Sequence, residues 1–352
     1  MTAVTAPHGP TRAAASRART RTGLVWACAL VALPASVVWA VTIGPADITA
    51  GEAWASISHH LFGTTSQLSA IRDGIVWELR MPRVLTAGAV GAGLAVSGVV
   101  MQALTRNPLA DPYLLGLSSG ASLGAVLVLL TGLAVALPFA AFAGAMAALA
   151  CTLALARALG AITPSRTVLS GLAVSSFAGA ITSLVIFWNT QGDSYRQILN
   201  WLLGSLASAD WASVAIGWVT LLAVGVPVLV GGRVLDAFAF GDTAAAALGV
   251  AVGRTRWLLL GATALLTGAM VSVSGSIGFV GLVLPNAVRL LVGARHALLL
   301  PISALVGAVF MIWVDTAART LFDPRELPVG IITVLIGAPV FVAVLVRNRE
   351  RA

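Results

Sequence analysis

Apolar runs close to the roughly 20 residues that a helix needs to cross a bilayer recur along nearly the whole chain, and this repetition constrains the fold more than any other feature. Ten are present, at about 23–43, 82–104, 113–132, 134–157, 166–188, 211–230, 256–274, 277–294, 297–316 and 327–346. A chain that is 59% hydrophobic and 10% charged cannot cover a water-facing surface, since soluble domains carry about 25% charged residues. The expectation is an all-α polytopic membrane protein with ten transmembrane helices, their apolar surfaces turned to lipid and to one another. Thr131, Gly132 and Pro138 mark the short turn that divides the third run from the fourth.

Ten spans put both ends on one side of the membrane, and charge decides which side. All 21 basic residues are arginine. With both termini cytoplasmic, Arg12, Arg17, Arg19, Arg21, Arg106, Arg157, Arg166, Arg233, Arg254, Arg256, Arg289, Arg295, Arg347, Arg349 and Arg351 fall inside. Only Arg72, Arg80, Arg83, Arg196, Arg319 and Arg325 fall outside, which is the excess of inner positive charge that orients membrane proteins. Residues 1–22 read as a cytoplasmic N-terminal tail and 23–352 as the ten-helix domain. The first apolar run is about a full span and has no small-x-small cleavage site before Pro45, so a retained helix is expected in place of a signal peptide.

The lack of lysine excludes a Walker A loop, which needs one against the β/γ-phosphates. Any nucleotide hydrolysis that drives this protein therefore takes place on another polypeptide, and the chain is not expected to be an enzyme. The net charge of +8 is spread in ones and threes between apolar runs, a pattern of membrane topology and not of a nucleic-acid surface. Cys28 and Cys151 lie far apart inside apolar runs and are expected to be small buried residues with no disulfide. His59 and His60 are adjacent and lack a third ligand, so a surface loop is expected there and no metal or cofactor site.

Two segments do not span. Asp193 to Ser208 has Tyr195, Ile198, Leu202 and Leu206 at helical spacing and is expected to form a helix across the external mouth. Residues 231–256 hold Asp236, Gly241, Asp242, an alanine run and Gly249, a pattern of short helices broken by glycine that would form a cytoplasmic platform. Glycines cluster inside the spans, as at Gly88, Gly91, Gly93 and Gly98, where small residues let helix backbones approach. Asp315 lies in the outer part of the ninth run, one turn before Arg319, and an i,i+4 pair between them would relieve the cost of a carboxylate in the membrane.

The stretch ELRMPRVLTAGAVGAGLAVSGVVMQALTRNPLADPYLLGLSSGA, from Glu78 to Ala121, resembles the signature region of the FecCD family, the ABC-importer permeases for iron–siderophores, haem and vitamin B12. GSIGFVGLVLPNAVRLL at Gly275–Leu291, LLLP at Leu298–Pro301 and RELPVGIITVLIGAPVFVAVL at Arg325–Leu345 extend the resemblance over most of the chain. It implies a pair of permease subunits around one path, two ATP-binding ABC subunits in the cytoplasm and an external substrate-binding lipoprotein. The pair is either a homodimer or a paralogous heterodimer.

Within this frame, Asn107 and Leu109 in the proline-bounded turn Arg106–Pro112 are candidates for an inner gate, a capped connecting turn being the alternative. Ser165, in Thr163-Pro164-Ser165-Arg166, resembles a second inner constriction. Gly241, Asp242, Thr243, Ala247, Leu248 and Gly249 resemble the segment that seats in each ATPase. Arg80, Arg83 and Arg319 are expected either to receive acidic residues of the binding protein or to anchor in lipid headgroups. The substrate expected is an iron(III)–siderophore complex, with haem or vitamin B12 as alternatives. An ion-coupled secondary transporter would want ionisable residues at broken helices near the midplane, and none of the 13 acidic residues clearly sits there. A membrane enzyme would want convergent His, Ser or carboxylate groups, which the spans lack.

Overall fold

The computed structural model describes residues 12–65, 68–132, 137–160, 163–189, 193–322 and 325–349, and every regular element among them is helical. In chain order the helices are α1 (Arg12–Thr42), α2 (Ala50–Phe62), α3 (Ala70–Gly74), α4 (Met81–Thr105), α5 (Leu117–Thr131), α6 (Leu137–Ala158), α7 (Pro164–Asn189) and α8 (Asp193–Leu202). They continue with α9 (Trp211–Thr220), α10 (Val226–Val230), α11 (Gly232–Ala239), α12 (Asp242–Ala247), α13 (Val252–Ser274), α14 (Val280–Val292), α15 (His296–Thr320) and α16 (Val329–Arg349).

Seven helical stretches are long and apolar enough to cross a membrane: Thr20–Thr42, Ala70–Thr105, Leu137–Ala158, Pro164–Trp188, Trp211–Val230, Val252–Ser274 and His296–Thr320. Three further apolar helices, Leu117–Thr131, Val280–Val292 and Val329–Val344, are shorter. At a rise of about 1.5 Å per residue, a helix of α14's length reaches only some 20 Å, against roughly 30 Å of hydrocarbon. Helix α1 begins at Arg12, so the later part of the expected polar tail is helical; residues 1–11 lie outside the described residues. Cys28 and Cys151 are free and exposed on α1 and α6, contrary to the expected burial.

Helix α4 is apolar or small on every side, the pattern of a helix enclosed all round. In its most apolar stretch 94% of the residues are buried within the chain, against 22% for α1 and α7, which places α4 at the centre and those two at the periphery. Its glycines are shared among its neighbours. Gly91 crosses Gly307 of α15 so closely that a Cβ on either would overlap the other's carbonyl, and a Cβ on Gly98 would overlap the carbonyl of Gly281 of α14. Dispersion contact between close backbones replaces the hydrophobic drive that lipid cannot supply.

The stretch from Ala70 is continuous with α4 through a π turn at Ile75–Arg80, so Pro82 does not open the span as the sequence suggests. A proline ring lacks the N–H and crowds the carbonyl one turn back, and widening the preceding turn relieves both. The same arrangement recurs at Leu221–Gly225, just before Pro227. Between α13 and α14 the backbone is irregular from Gly275 to Phe279, and such backbone at membrane depth must be satisfied by the protein itself. The Tyr113 hydroxyl donates to the Ile277 carbonyl at 2.9 Å and accepts from the Ile277 amide at 3.2 Å. Ser118 bonds Ser276 through their hydroxyls at 2.7 Å, and the Ser205 amide donates to the Ser274 carbonyl at 2.9 Å.

Candidate functional site

The three arginines expected at the outer face are buried, with relative exposures of 5% for Arg80, 8% for Arg83 and 3% for Arg319. Their partners explain why. Helix α1 ends at Thr42, leaving its last carbonyls without helical donors. Arg80 donates to the carbonyls of Val41 at 2.9 Å, Thr42 at 3.0 Å and Ala46 at 2.5 Å, and Arg319 donates to that of Ala40. The positive guanidinium groups also suit the negative end of the helix dipole.

Arg83 ties α4 to α15: its Nε lies 3.0 Å from both oxygens of Asp315, and its NH1 donates to Glu326 at 2.8 Å. Asp315 is fully buried and takes its direct ion pair from Arg83, not from Arg319 one turn on as the spacing predicts. Most donors of Arg80, Arg83 and Arg319 are thus engaged within the chain. The Arg319 Nε is buried without a hydrogen-bond partner among the described residues, whereas a carboxylate brought to Arg80 or Arg83 would compete with backbone carbonyls, Asp315 and Glu326.

At the other end of α4, Arg106 adopts a left-handed conformation (φ 50), and the Asn107 amide donates to the Gln102 carbonyl at 3.1 Å, closing the helix. Asn107 then turns the chain by accepting the Leu109 amide on its side-chain oxygen at 2.9 Å. The Pro108 carbonyl accepts from Asn286 of α14 at 2.8 Å, so the turn is pinned while Asn107, Pro108 and Leu109 remain exposed. Ser165 is exposed in the first turn of α7. Further along α7, Gly171 lies against the Leu114 carbonyl of the 3-10 turn Pro112–Leu115, so α7 packs on the connection that follows the Asn107–Leu109 turn.

Residues 231–256 form two short helices hinged by glycine. Helix α11 is anchored through fully buried Leu235 and nearly buried Phe238 against α4 and α15. Gly241 (φ 95) and Gly249 (φ 83) bracket α12 in conformations that strain other residues. Arg256 of α13 donates to Asp242 at 2.7 Å, and Ala245 is buried. Thr243, Ala246, Ala247 and Gly249 are exposed, and Phe240 (77%) and Leu248 (70%) present large apolar side chains.

Sequence reasoning did not find the α2 helix and its contacts. His59 and His60 end that helix and do not sit in a loop: His60 Nε2 lies 2.9 Å from Asp73, and the ring stacks on Trp77 at 4.3 Å. Among the described residues no group of three or more His, Cys, Asp or Glu side chains could hold a metal ion. Helix α8 buries Ile198 and Trp201 and leaves Tyr195 exposed. Beside it, Leu129, Leu137, Gln197, Asn200, Trp201, Ser205 and their neighbours line a cavity of about 280 Å³ that contains no charged side chain.

Three comparisons bear on what these elements form. The chain is 43% identical over 280 residues to the Fe(3+) dicitrate transport system permease protein FecD of Escherichia coli, covering 78% of this chain and 86% of that one. It is 41% identical over 304 residues to the vitamin B12 import system permease protein BtuC of Vibrio cholerae, covering 85% and 89%. A solved ABC transporter described as metal-chelate type, in an inward-facing conformation, matches with a TM-score of 0.79 and 32% identity over 92% of this chain and 99% of that one. The profile of the FecCD transport family matches residues 31–347, and the chain belongs to that family of multi-pass ABC-importer permeases of the cytoplasmic membrane.

Proposed function

We propose that this permease passes an iron(III)–siderophore complex from an external substrate-binding lipoprotein to the cytoplasm, with ten membrane crossings and both termini inside. It works beside a second permease subunit, driven by two separate ATP-binding subunits. The observation that carries this reading is the exposed Phe240–Gly249 segment. An apolar platform on the cytoplasmic side of a chain with no lysine for a nucleotide loop is a surface for a partner that hydrolyses ATP. In this reading Gly241, Asp242, Thr243, Ala247, Leu248 and Gly249 form the coupling contact, with Phe240 at its start. The three shorter apolar helices complete the ten crossings, the irregular Gly275–Phe279 stretch supplying length that α14 lacks.

The iron chelate is supported by the relative named for ferric dicitrate and the solved metal-chelate transporter. A corrinoid is the second reading, favoured by the vitamin B12 relative and by an outer cavity that mixes apolar side chains with amides and hydroxyls and is free of charge. Proteoliposomes holding the permease with its ATPase and binding protein should accumulate a labelled ferric siderophore only when ATP is inside the hydrolytic compartment. Accumulation of cyanocobalamin in its place establishes the second reading, and uptake of neither chelate defeats both.

Asn107 and Leu109 form the inner gate in this proposal, with Ser165 at a second constriction. Asn107→Cys in both subunits, on a Cys28→Ser/Cys151→Ser background, is expected to crosslink across the two-fold axis in the inward-closed state and to stop uptake. Reduction should restore it. Full transport by a permease shown to be crosslinked would remove the gate assignment.

A further inference from the structure

A polar cavity of about 250 Å³ lies between the Asn107 turn, the coupling segment and the α14–α15 turn, lined by Gln102, Arg106, Asn107, Arg289 and His296, with Ala239 at its edge. Its positive groups lack carboxylate partners where they face it. Arg289 donates through NH1 to the Asn286 side-chain oxygen at 2.8 Å and through NH2 to that of Gln102 at 2.9 Å, both neutral acceptors. Gln102 is itself held, donating to the Leu282 carbonyl at 3.2 Å, so the guanidinium is fixed in place by groups that do not neutralise it. His296 gives its Nδ1 N–H to Asp236 at 2.8 Å, so the neutral ring lines the wall without donating into the cavity. The same Asp236 oxygen also accepts the His296 amide at 2.8 Å, and no carboxylate residue lines the cavity itself among the described residues. Arg106 is exposed, its side chain makes no hydrogen bond among the described residues, and its NH1 lies close beside Gly241 of the coupling segment.

We propose that this cavity is an anion site for a phosphate group. Two guanidinium groups converge on a space large enough for a tetrahedral oxyanion, and the planar fork donates in pairs to phosphate oxygens. The cytoplasmic ends of membrane helices are where basic pockets take phosphate headgroups, and free phosphate, a product of the hydrolysis that powers the proposed importer, carries the same chemistry. Bound there, the anion would bridge Arg106 of the inner turn to Arg289 of α14 and keep Arg106 beside Gly241. The gate and coupling segments would then respond to occupancy together. Only this linkage rests on the proposed function; the binding itself does not.

The full-length permease in maltoside detergent, free of phospholipid, should unfold at a temperature that rises saturably with inorganic phosphate at constant ionic strength. In a second arm, phosphatidylglycerol nanodiscs should stabilise it over phosphatidylcholine ones if the occupant is a lipid headgroup. Arg106→Gly removes a charge at a backbone angle that glycine adopts without strain, so the fold is retained. This variant and Arg289→Gln should each weaken the effective arm at least about tenfold, as losing a charge-assisted hydrogen bond does. Arg233→Gln, exposed on α11 outside the cavity, should leave it unchanged. No saturable effect in either arm, or an equal loss in Arg233→Gln, overturns the assignment.

Discussion

Arg83→Ala is expected to destabilise the folded permease by about 3–5 kcal/mol, because it strands a fully buried carboxylate. Asp315 has no exposure, and its direct ion pair is with the Arg83 Nε. Removing that partner leaves a charge that neither water nor lipid can solvate. Replacing both members, as Arg83→Met with Asp315→Leu, should recover most of the loss, since a well-packed apolar pair is often as stable as a buried ionic one. Thermal unfolding of the single and double variants measures the coupling. Because the pair is shielded, the effect should change little between low and high salt, unlike a surface contact screened within about 10 Å. Arg80→Glu sets a carboxylate against the carbonyls of Val41, Thr42 and Ala46, and loss of folded protein is expected there too. A salt-sensitive change in binding-protein association with the fold intact would instead assign these arginines to docking. Single variants within about 0.5 kcal/mol of the parent would place these arginines with ordinary surface residues.

The apolar runs were legible because hydrophobic length is a property of the sequence alone, and the helices lie where the runs are. What the arginines do was not legible, since their partners include backbone carbonyls at the end of α1, and no residue type announces an unsatisfied carbonyl. Spacing put Arg319 beside Asp315, but Arg83 comes from a different helix and reaches it only through the α4–α15 crossing. The glycines that permit this crossing are visible, whereas the pairing of Gly91 with Gly307 is not. Pro82 was misleading as a helix start because the π turn before it absorbs the missing donor. Helix α2 had a readable signal that was passed over. Thr49 and Glu52 form a capping box, the Glu52 carboxylate accepting the Thr49 amide at 2.8 Å and the Thr49 hydroxyl accepting the Glu52 amide at 3.2 Å. At the inner turn the two prolines were informative, while the left-handed Arg106 was hidden because arginine gives no hint of positive φ.

Leu248→Asp is expected to abolish ATP-driven uptake while leaving the isolated permease as stable as the parent. Leu248 is 70% exposed, and charged substitutions at such positions usually shift stability by no more than about 0.5 kcal/mol. The surrounding backbone should hold: the Leu248 amide donates to the Ala244 carbonyl at 3.1 Å and the Val250 amide to that of Ala245 at 3.0 Å, bonds that do not involve the side chain. A large loss of function can then come only from a partner that buries this leucine. Burying such a side chain is worth about 1.5–3 kcal/mol, and an unpaired carboxylate in the same place adds a desolvation cost. ATPase association should therefore weaken by at least about tenfold. Phe240→Asp, at the other end of α12, should behave alike, and Ala247→Trp should obstruct docking by bulk. Arg233→Gln is the control on the same face. Normal uptake by Leu248→Asp, with hydrolysis still stimulated by the loaded binding protein, would show that the ATPase seats elsewhere. Loss of uptake together with a lowered unfolding temperature would assign the residue to the permease's own fold.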